Sequence, residues 1–155
     1  MMKIITVGLI GLSLCSTGLA RSENDETAAR KPVELFYAAF DQGFVGPADF
    51  AAEDWVHINP YGGWTRGRTN VLKEVRAVHA TFLKGVTDKI ERSEVKLVSR
   101  EGAVVTVVSL MSTFTTPDGV NHENEQHIRT FVVVKRSGRW LVIQDQNTPT
   151  IISNP

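Results

Sequence analysis

The chain has 155 residues with 17 basic and 17 acidic side chains, so its formal net charge is zero. A neutral chain has no positive field for docking on a polyphosphate, and no basic block or lipid-facing helix stands out, so neither nucleic acid nor a membrane surface is an expected partner. Its one cysteine, Cys15, lies within residues 1–20, which leaves the body of the chain without a disulfide or a thiol nucleophile.

Residues 1–20, "MMKIITVGLIGLSLCSTGLA", place Lys3 before an apolar run from Ile4 to Leu14 and end in small residues at Gly18 and Ala20. That is the layout of a secretory signal, and the apolar run is too short to cross a bilayer, which takes about 20 residues. Cleavage after Ala20 would leave a secreted or periplasmic chain without cysteine, of a size that makes one domain. Residues 21–30, within "RSENDETAARK", are polar and read as a flexible lead-in, so the expected single domain covers 31–150.

From Pro32 the apolar positions Val33, Phe36, Tyr37 and Phe40 recur at helical spacing, and Gly43 supplies a stop. "GPADFAAED" reads as a short second helix with Pro47 in its first turn. The segment "DWVHINPYGGWTRGR", residues 54–68, opens as a strand. Alternation puts Trp55, His57 and Asn59 on one side and Val56 and Ile58 on the other, until Pro60 and the Gly62-Gly63 pair stop it. A third helix is expected from about Thr69 to Lys84, with Val71, Val75, Val78, His79 and Phe82 in one stripe and Gly85 closing it.

Strands follow in "DKIERSEVKLVS", "GAVVTVVSLMSTFTT", "EQHIRTFVVVKR" and "RWLVIQDQNT", joined by turns in "SREG", "PDG" and "RSG". That pattern predicts an antiparallel meander. Helices first and long hairpins after them give an α+β class, with N-terminal helices packed on a strongly curved, mostly antiparallel sheet. Long strands coil, and a coiled sheet closed by helices encloses a cone whose wide end side chains cannot fill.

The order of elements, the strand "WVHINPYGGWTRGR" running into a helix, the helix histidine His79 and the closing "GRWLVIQDQNT" resemble the nuclear transport factor 2-like superfamily. Within it, the chain is most similar to the SnoaL-like and SgcJ/EcaC-type proteins, over about residues 30 to 149. The resemblance implies a cone-shaped α+β barrel with a pocket. It does not fix an activity, because that fold carries isomerases, cyclases, hydrolases and members that only bind.

No Gly-x-Ser-x-Gly elbow, phosphate loop or Gly-x-Gly-x-x-Gly fingerprint is present, and no cofactor is expected. Acid–base work or simple ligand capture remains. The resemblance turns His57 and Asn59 toward the pocket, where His57 would move a proton near neutral pH and Asn59 would steady an oxyanion. Bonded to neighbouring backbone, the two would only tie down the strand end. Trp64, after two glycines, is either a lid over the pocket mouth or a buried anchor. His79 is either a core histidine or looks into the cone beside His57.

In "NHENEQHIR", strict alternation sends His122 and His127 to opposite faces, which argues against a shared metal ion. It also groups Glu123, Glu125, His127, Arg129 and Phe131. On a pocket face, Glu125 would orient His127 as a base and Arg129 would hold an anion. On the outer face, the same residues form a solvated charge ladder. Asn147 joins the pocket by resemblance, or else caps the sheet end, and Arg68 is expected to pair with Glu53 or Asp54. The opening segment supplies no carboxylate after Asp54. The expected function is therefore an exported protein that binds an apolar or polycyclic small molecule and dimerises through its open sheet. A cofactor-independent acid–base enzyme using a pocket histidine is the alternative.

Overall fold

Four long strands with alternating burial set the architecture of the computed structural model, which describes residues 16–150. The chain runs α1 (Ser16–Asp41), β1 (Ala51–Ile58), β2 (Trp64–Arg66), α2 (Arg68–His79), β3 (Asp88–Ser99), β4 (Gly102–Met111), β5 (Phe114–Thr115), β6 (Asn121–His122), β7 (Gln126–Arg136) and β8 (Arg139–Pro149). Of the signal expected over 1–20, residues 1–15 lie outside the described residues.

Six strands form one sheet in the order β2-β1-β8-β7-β4-β3. The antiparallel run β3-β4-β7-β8 is the meander that alternation and the turn residues predict. At the far side β1 lies parallel to β8 and carries β2 antiparallel on the edge, while β5 and β6 pair separately. This is the α+β barrel with helices on a curved, mostly antiparallel sheet.

Phe36 of α1 fills the narrow end of the cone. Its ring meets those of Tyr37, Phe44, Phe50, Trp55 and Phe131 at steep angles, with centroids 5.1 to 6.1 Å apart. Edge-to-face contacts of this kind add to the burial each ring contributes.

Three expectations change. Residues 21–30 belong to α1 rather than to a flexible lead-in, with Pro32 inside the helix. Ala29 is wholly buried and Asp25 lies 3.9 Å from Lys135, so packing and an ion pair anchor a segment whose composition is polar. The helix expected in "GPADFAAED" is absent. Ala51 and Ala52 are buried in β1, Ala51 sits opposite Val142, and the Val142 amide donates to the Phe50 carbonyl at 2.9 Å. Pairing with β8 overrides the helical preference of alanine there.

Third, α2 ends at His79, short of Lys84. Thr81 turns its hydroxyl back on the Ala77 and Val78 carbonyls, and the Leu83 amide bonds to Val78 at 3.0 Å, closing the helix and bringing Leu83 into the core. Nearby, Arg68 donates to the Ala51 carbonyl at 3.0 Å instead of meeting an acid. Asp54 is taken by Arg136 through two bonds of 2.6 and 2.9 Å.

Candidate functional site

The wide end of the cone holds a cavity of about 160 Å³. Phe36, Phe40, Phe44, Val75 and Met111 give it apolar walls, and a band of ionisable and amide side chains crosses one side. Phe36 and Arg129 form a buried floor, whereas Tyr61, 71% exposed, stands at the mouth.

Strand parity decides which residues reach this cavity. On β7 the buried positions are His127, Arg129, Phe131 and Val133, so the inner-face alternative holds for that strand. On β8 the buried positions begin as Trp140 and Val142 and continue as Asp145 and Asn147. The change of parity comes from a bulge: Val133 pairs with Val142 and Val132 with Gln144, which leaves Ile143 as the extra residue. Without it Gln144 and Gln146 would face inward.

Asp145, which the sequence reading missed, is thereby placed at the centre of the site with no exposure. Its carboxylate accepts the Trp55 indole N–H at 2.8 Å and the His57 Nδ1–H at 2.9 and 3.1 Å. With Nδ1–H committed, a neutral His57 keeps its lone pair on Nε2. Arg129 Nη1 stands 3.6 Å from Asp145, and its guanidinium covers the Phe36 ring at 4.7 Å. Asp145 thus shares the Arg129 charge, which the sequence reading had reserved for an anion.

Asn147 donates from Nδ2 to His127 Nδ1 at 2.7 Å, so the neutral His127 ring carries its proton on Nε2. That nitrogen is 3.3 Å from Glu125 Oε1 but outside hydrogen-bond geometry, and neither it nor Arg129 Nε has a hydrogen-bond partner among the described residues. Burial, helped by Arg129, holds His127 below the ordinary imidazole range. Glu125 also accepts from His122 Nδ1, and the His122 ring stacks on Phe114 at 4.6 Å. Strict alternation across His122–His127 therefore fails. Asn124 takes a left-handed conformation (φ 46°) between β6 and β7, and both imidazoles reach the same carboxylate. Among the described residues, no group of three or more His, Cys, Asp or Glu side chains is arranged to hold a metal ion.

His79 forms part of the cavity wall, edge-on to Phe40 at 4.4 Å and Phe44 at 5.3 Å. Burial, with Arg129 nearby, pushes its pKa down to about 4. Asn59 also lies in the wall, but its Oδ1 accepts the Tyr61 and Gly63 amides and its Nδ2 donates to Glu74. It closes the 59–63 turn, so its amide is not free to steady an oxyanion. A Cβ at Gly63 would sit 2.2 Å from Asn59 Nδ2, which explains the glycine.

Trp64 is neither lid nor buried anchor. It pairs with Ile58, whose side chain points away from His57, and it lies 62% exposed beneath the Arg66 guanidinium at 4.0 Å. A second buried carboxyl, Asp88, also escaped the sequence reading. Burial raises its pKa, while Arg129 and the neighbouring Ser109 hydroxyl pull it back.

Solved structures share this fold at low identity. An uncharacterized protein with a cystatin-like fold from Caulobacter vibrioides superposes with a TM-score of 0.78 at 21% identity, covering 83% of this chain and 92% of that one. A nuclear transport factor 2-like protein from Novosphingobium aromaticivorans gives 0.69 at 14% identity, with 93% and 95% covered. A ketosteroid isomerase-like protein from Erwinia carotovora atroseptica gives 0.68 at 18%, with 82% and 97% covered. None of the curated proteins matches the chain. Helices capping a coiled sheet around a pocket are the fold this chain shares with that nuclear transport factor 2-like protein. Residues 68–150, more than half of the chain, match the calcium/calmodulin dependent protein kinase II association domain, and the chain belongs to that family.

The depressed His79 fixes the sign of one pH effect. An unfolded imidazole titrates near 6.5. Between that pH and the folded value of about 4, the unfolded chain binds more protons, so stability rises with pH. The contribution is complete above the unfolded pKa and is lost as pH falls toward 4, up to about 3 kcal/mol at roughly 1.4 kcal/mol per pH unit. His127, shifted in the same direction, adds to this slope. Urea unfolding between pH 7 and 4 should show the decline, and His79→Phe should flatten it. An unchanged slope in the variant would remove His79 as its source.

Proposed function

We propose that this protein is an exported homodimer that binds a compact, mostly apolar molecule bearing one neutral oxygen. The observation that carries this reading is the polar trio at one side of an aromatic cavity. His127 Nε2–H and Arg129 Nε–H are donors without partners among the described residues, and His57 offers an Nε2 lone pair beside them. Two donors and one acceptor suit a carbonyl or hydroxyl oxygen. The size favours a single ring, since an apolar cavity of about 150 Å³ holds one benzene. The polycyclic ligand of the sequence reading needs more room than about 160 Å³.

Calorimetry with cyclohexanone and 4-methylphenol tests the site. Binding should fall about tenfold or more in His57→Ala, the cost of one buried hydrogen bond, and stay unchanged in the outward-facing Trp64→Ala. Equal binding by wild type and His57→Ala would place the ligand elsewhere.

Assembly is proposed from the outer face of the sheet, where Val56, Ile58, Val104, Val108, Ile128 and Val132 lie exposed or half-buried. An apolar stretch of sheet of this kind, bordered by Arg92, Glu94 and Lys96 on β3, marks an interface. The association-domain family supports the same reading, and the layout of residues 1–20 supports export. Protein recovered from the periplasm should begin at Arg21 by intact mass and sediment as a dimer, and Ile128→Glu should sediment as a monomer. A wild-type monomer would sink the assembly.

The Asp145–His57 pair favours a second reading, an acid–base enzyme. A histidine oriented by a buried carboxylate is poised to take a proton beside a carbonyl, while Arg129 and His127 stabilise the enolate oxygen. The ketosteroid isomerase-like neighbour lends this support by its fold. Exchange of cyclohexanone α-protons in D₂O should be accelerated by wild type and, compared at saturating ketone, reduced about 100-fold by Asp145→Asn. Binding without exchange leaves the binding protein alone.

A further inference from the structure

Resting on the cavity as a small-molecule site, we propose that its ligand also carries a protonated amine, held at the mouth between the Glu125 carboxylate and the aromatic faces of Tyr61 and Phe114.

The charge of the wall points this way. Glu74 and Glu125 line the cavity, and Asp145 lies directly behind it. Among the described residues Arg129 is the one guanidinium in the wall, and Asp145 stands 3.6 Å from it. His79 and His127 add no charge near neutral pH, because burial holds both below the ordinary imidazole range. That leaves His57 and His122, each bonded to its own carboxylate. If both carry a proton, three carboxylates meet three cations and the site is neutral. If both are neutral, two negative charges are in excess. Asp88, buried behind the floor, adds another when ionised. With His79 and His127 neutral, no state of His57 and His122 gives the cavity a positive balance, so an anion is disfavoured and a cation is the better fit.

Glu125 is the carboxylate placed to meet that cation. Its backbone is fixed by the Met111 amide, which donates to the Glu125 carbonyl at 2.9 Å. Aromatic faces border it. Phe114 stacks on the His122 ring that Glu125 accepts from. Tyr61 lies within the field of Glu125, since burial first and then the charges of Glu125 and Asp118 raise its phenol. A carboxylate flanked by aromatic rings is the chemistry that binds ammonium groups. A separate observation marks the same cavity as ligand-taking: His127 Nε2 and Arg129 Nε, on side chains at most 4% exposed, have no hydrogen-bond partner among the described residues. They suit the oxygen at the deep end, and the amine occupies the other.

Three probes of one shape and different charge separate these terms: tyramine, 2-(4-hydroxyphenyl)ethanol and 4-hydroxyphenylacetate, titrated calorimetrically at pH 7 into the full protein. Tyramine should bind about tenfold tighter than the alcohol, and the carboxylate should bind most weakly. Glu125→Gln should cut the preference for tyramine over the alcohol from about tenfold to within about threefold. Tyr61→Leu, at an exposed position that folding does not depend on, should reduce the amine preference about threefold. Carboxylate binding as tight as the amine, or an amine preference untouched by both variants, would overturn the assignment. Alcohol binding with no gain for tyramine would overturn the charge assignment and leave the cavity reading standing. Failure of all three probes would overturn both.

Discussion

A carboxylate without access to water organises the interior of this protein. Asp145 sits in β8 at zero exposure, where an isolated charge would cost several kcal/mol. It is tolerated because Trp55 and His57 of β1 donate to it and Arg129 of β7 stands beside it. These partners flank β8 on both sides, one in the parallel pairing and one in the antiparallel pairing. The same group therefore stitches together the two kinds of strand pairing in the sheet. It also sets the His57 tautomer and shares the Arg129 charge, so the electrostatics of the cavity follow from a structural necessity.

That inward aim depends on Ile143, the extra residue of the β8 bulge. Before the bulge, Trp140 and Val142 are packed as a core strand; after it, Asp145 and Asn147 are turned into the wall. A bulge also increases local twist, which here accompanies the opening of the cone. The narrow end is filled by the Phe36 cluster. At the wide end, α2 stops at His79, and the turn after it reaches the core through Leu83 rather than continuing as a helix across the mouth.

Most of the architecture was legible because it rests on local patterns that nothing overrides. The β3-β4-β7-β8 meander follows from alternation and turn residues, and His57 and Trp55 share a face because β1 is regular there. Where a long-range pairing or a local irregularity intervenes, the pattern misleads. "GPADFAAED" has the composition of a helix and becomes strand because β8 needs a parallel neighbour. Asp145 was hidden by the Ile143 bulge, which inverts the parity counted from Trp140 and Val142. His122 was set apart from His127 by counting through Asn124, whose left-handed backbone resets the count. An asparagine between two glutamates was the available signal, since asparagine accepts that conformation more readily than most residues.

Trp64 shows what a single position of parity decides. Thr65, one residue on, pairs with His57 and turns its hydroxyl inward to Glu74. Trp64 pairs with Ile58 and faces out, in a row that continues through Gln146, Thr130 and Thr106 across the sheet. Inner and outer rows are interleaved along the same strands, so alternation, reset once by the bulge in β8, separates the cavity from an outer surface that is apolar at its centre and charged along β3. Shifting the register of β1 by one residue would carry His57 out of reach of Asp145 and drive Ile58 toward it. The buried carboxylate would then lose its principal donor. The register that builds the cavity is therefore also the one that leaves an open face for assembly, and neither can be varied without the other.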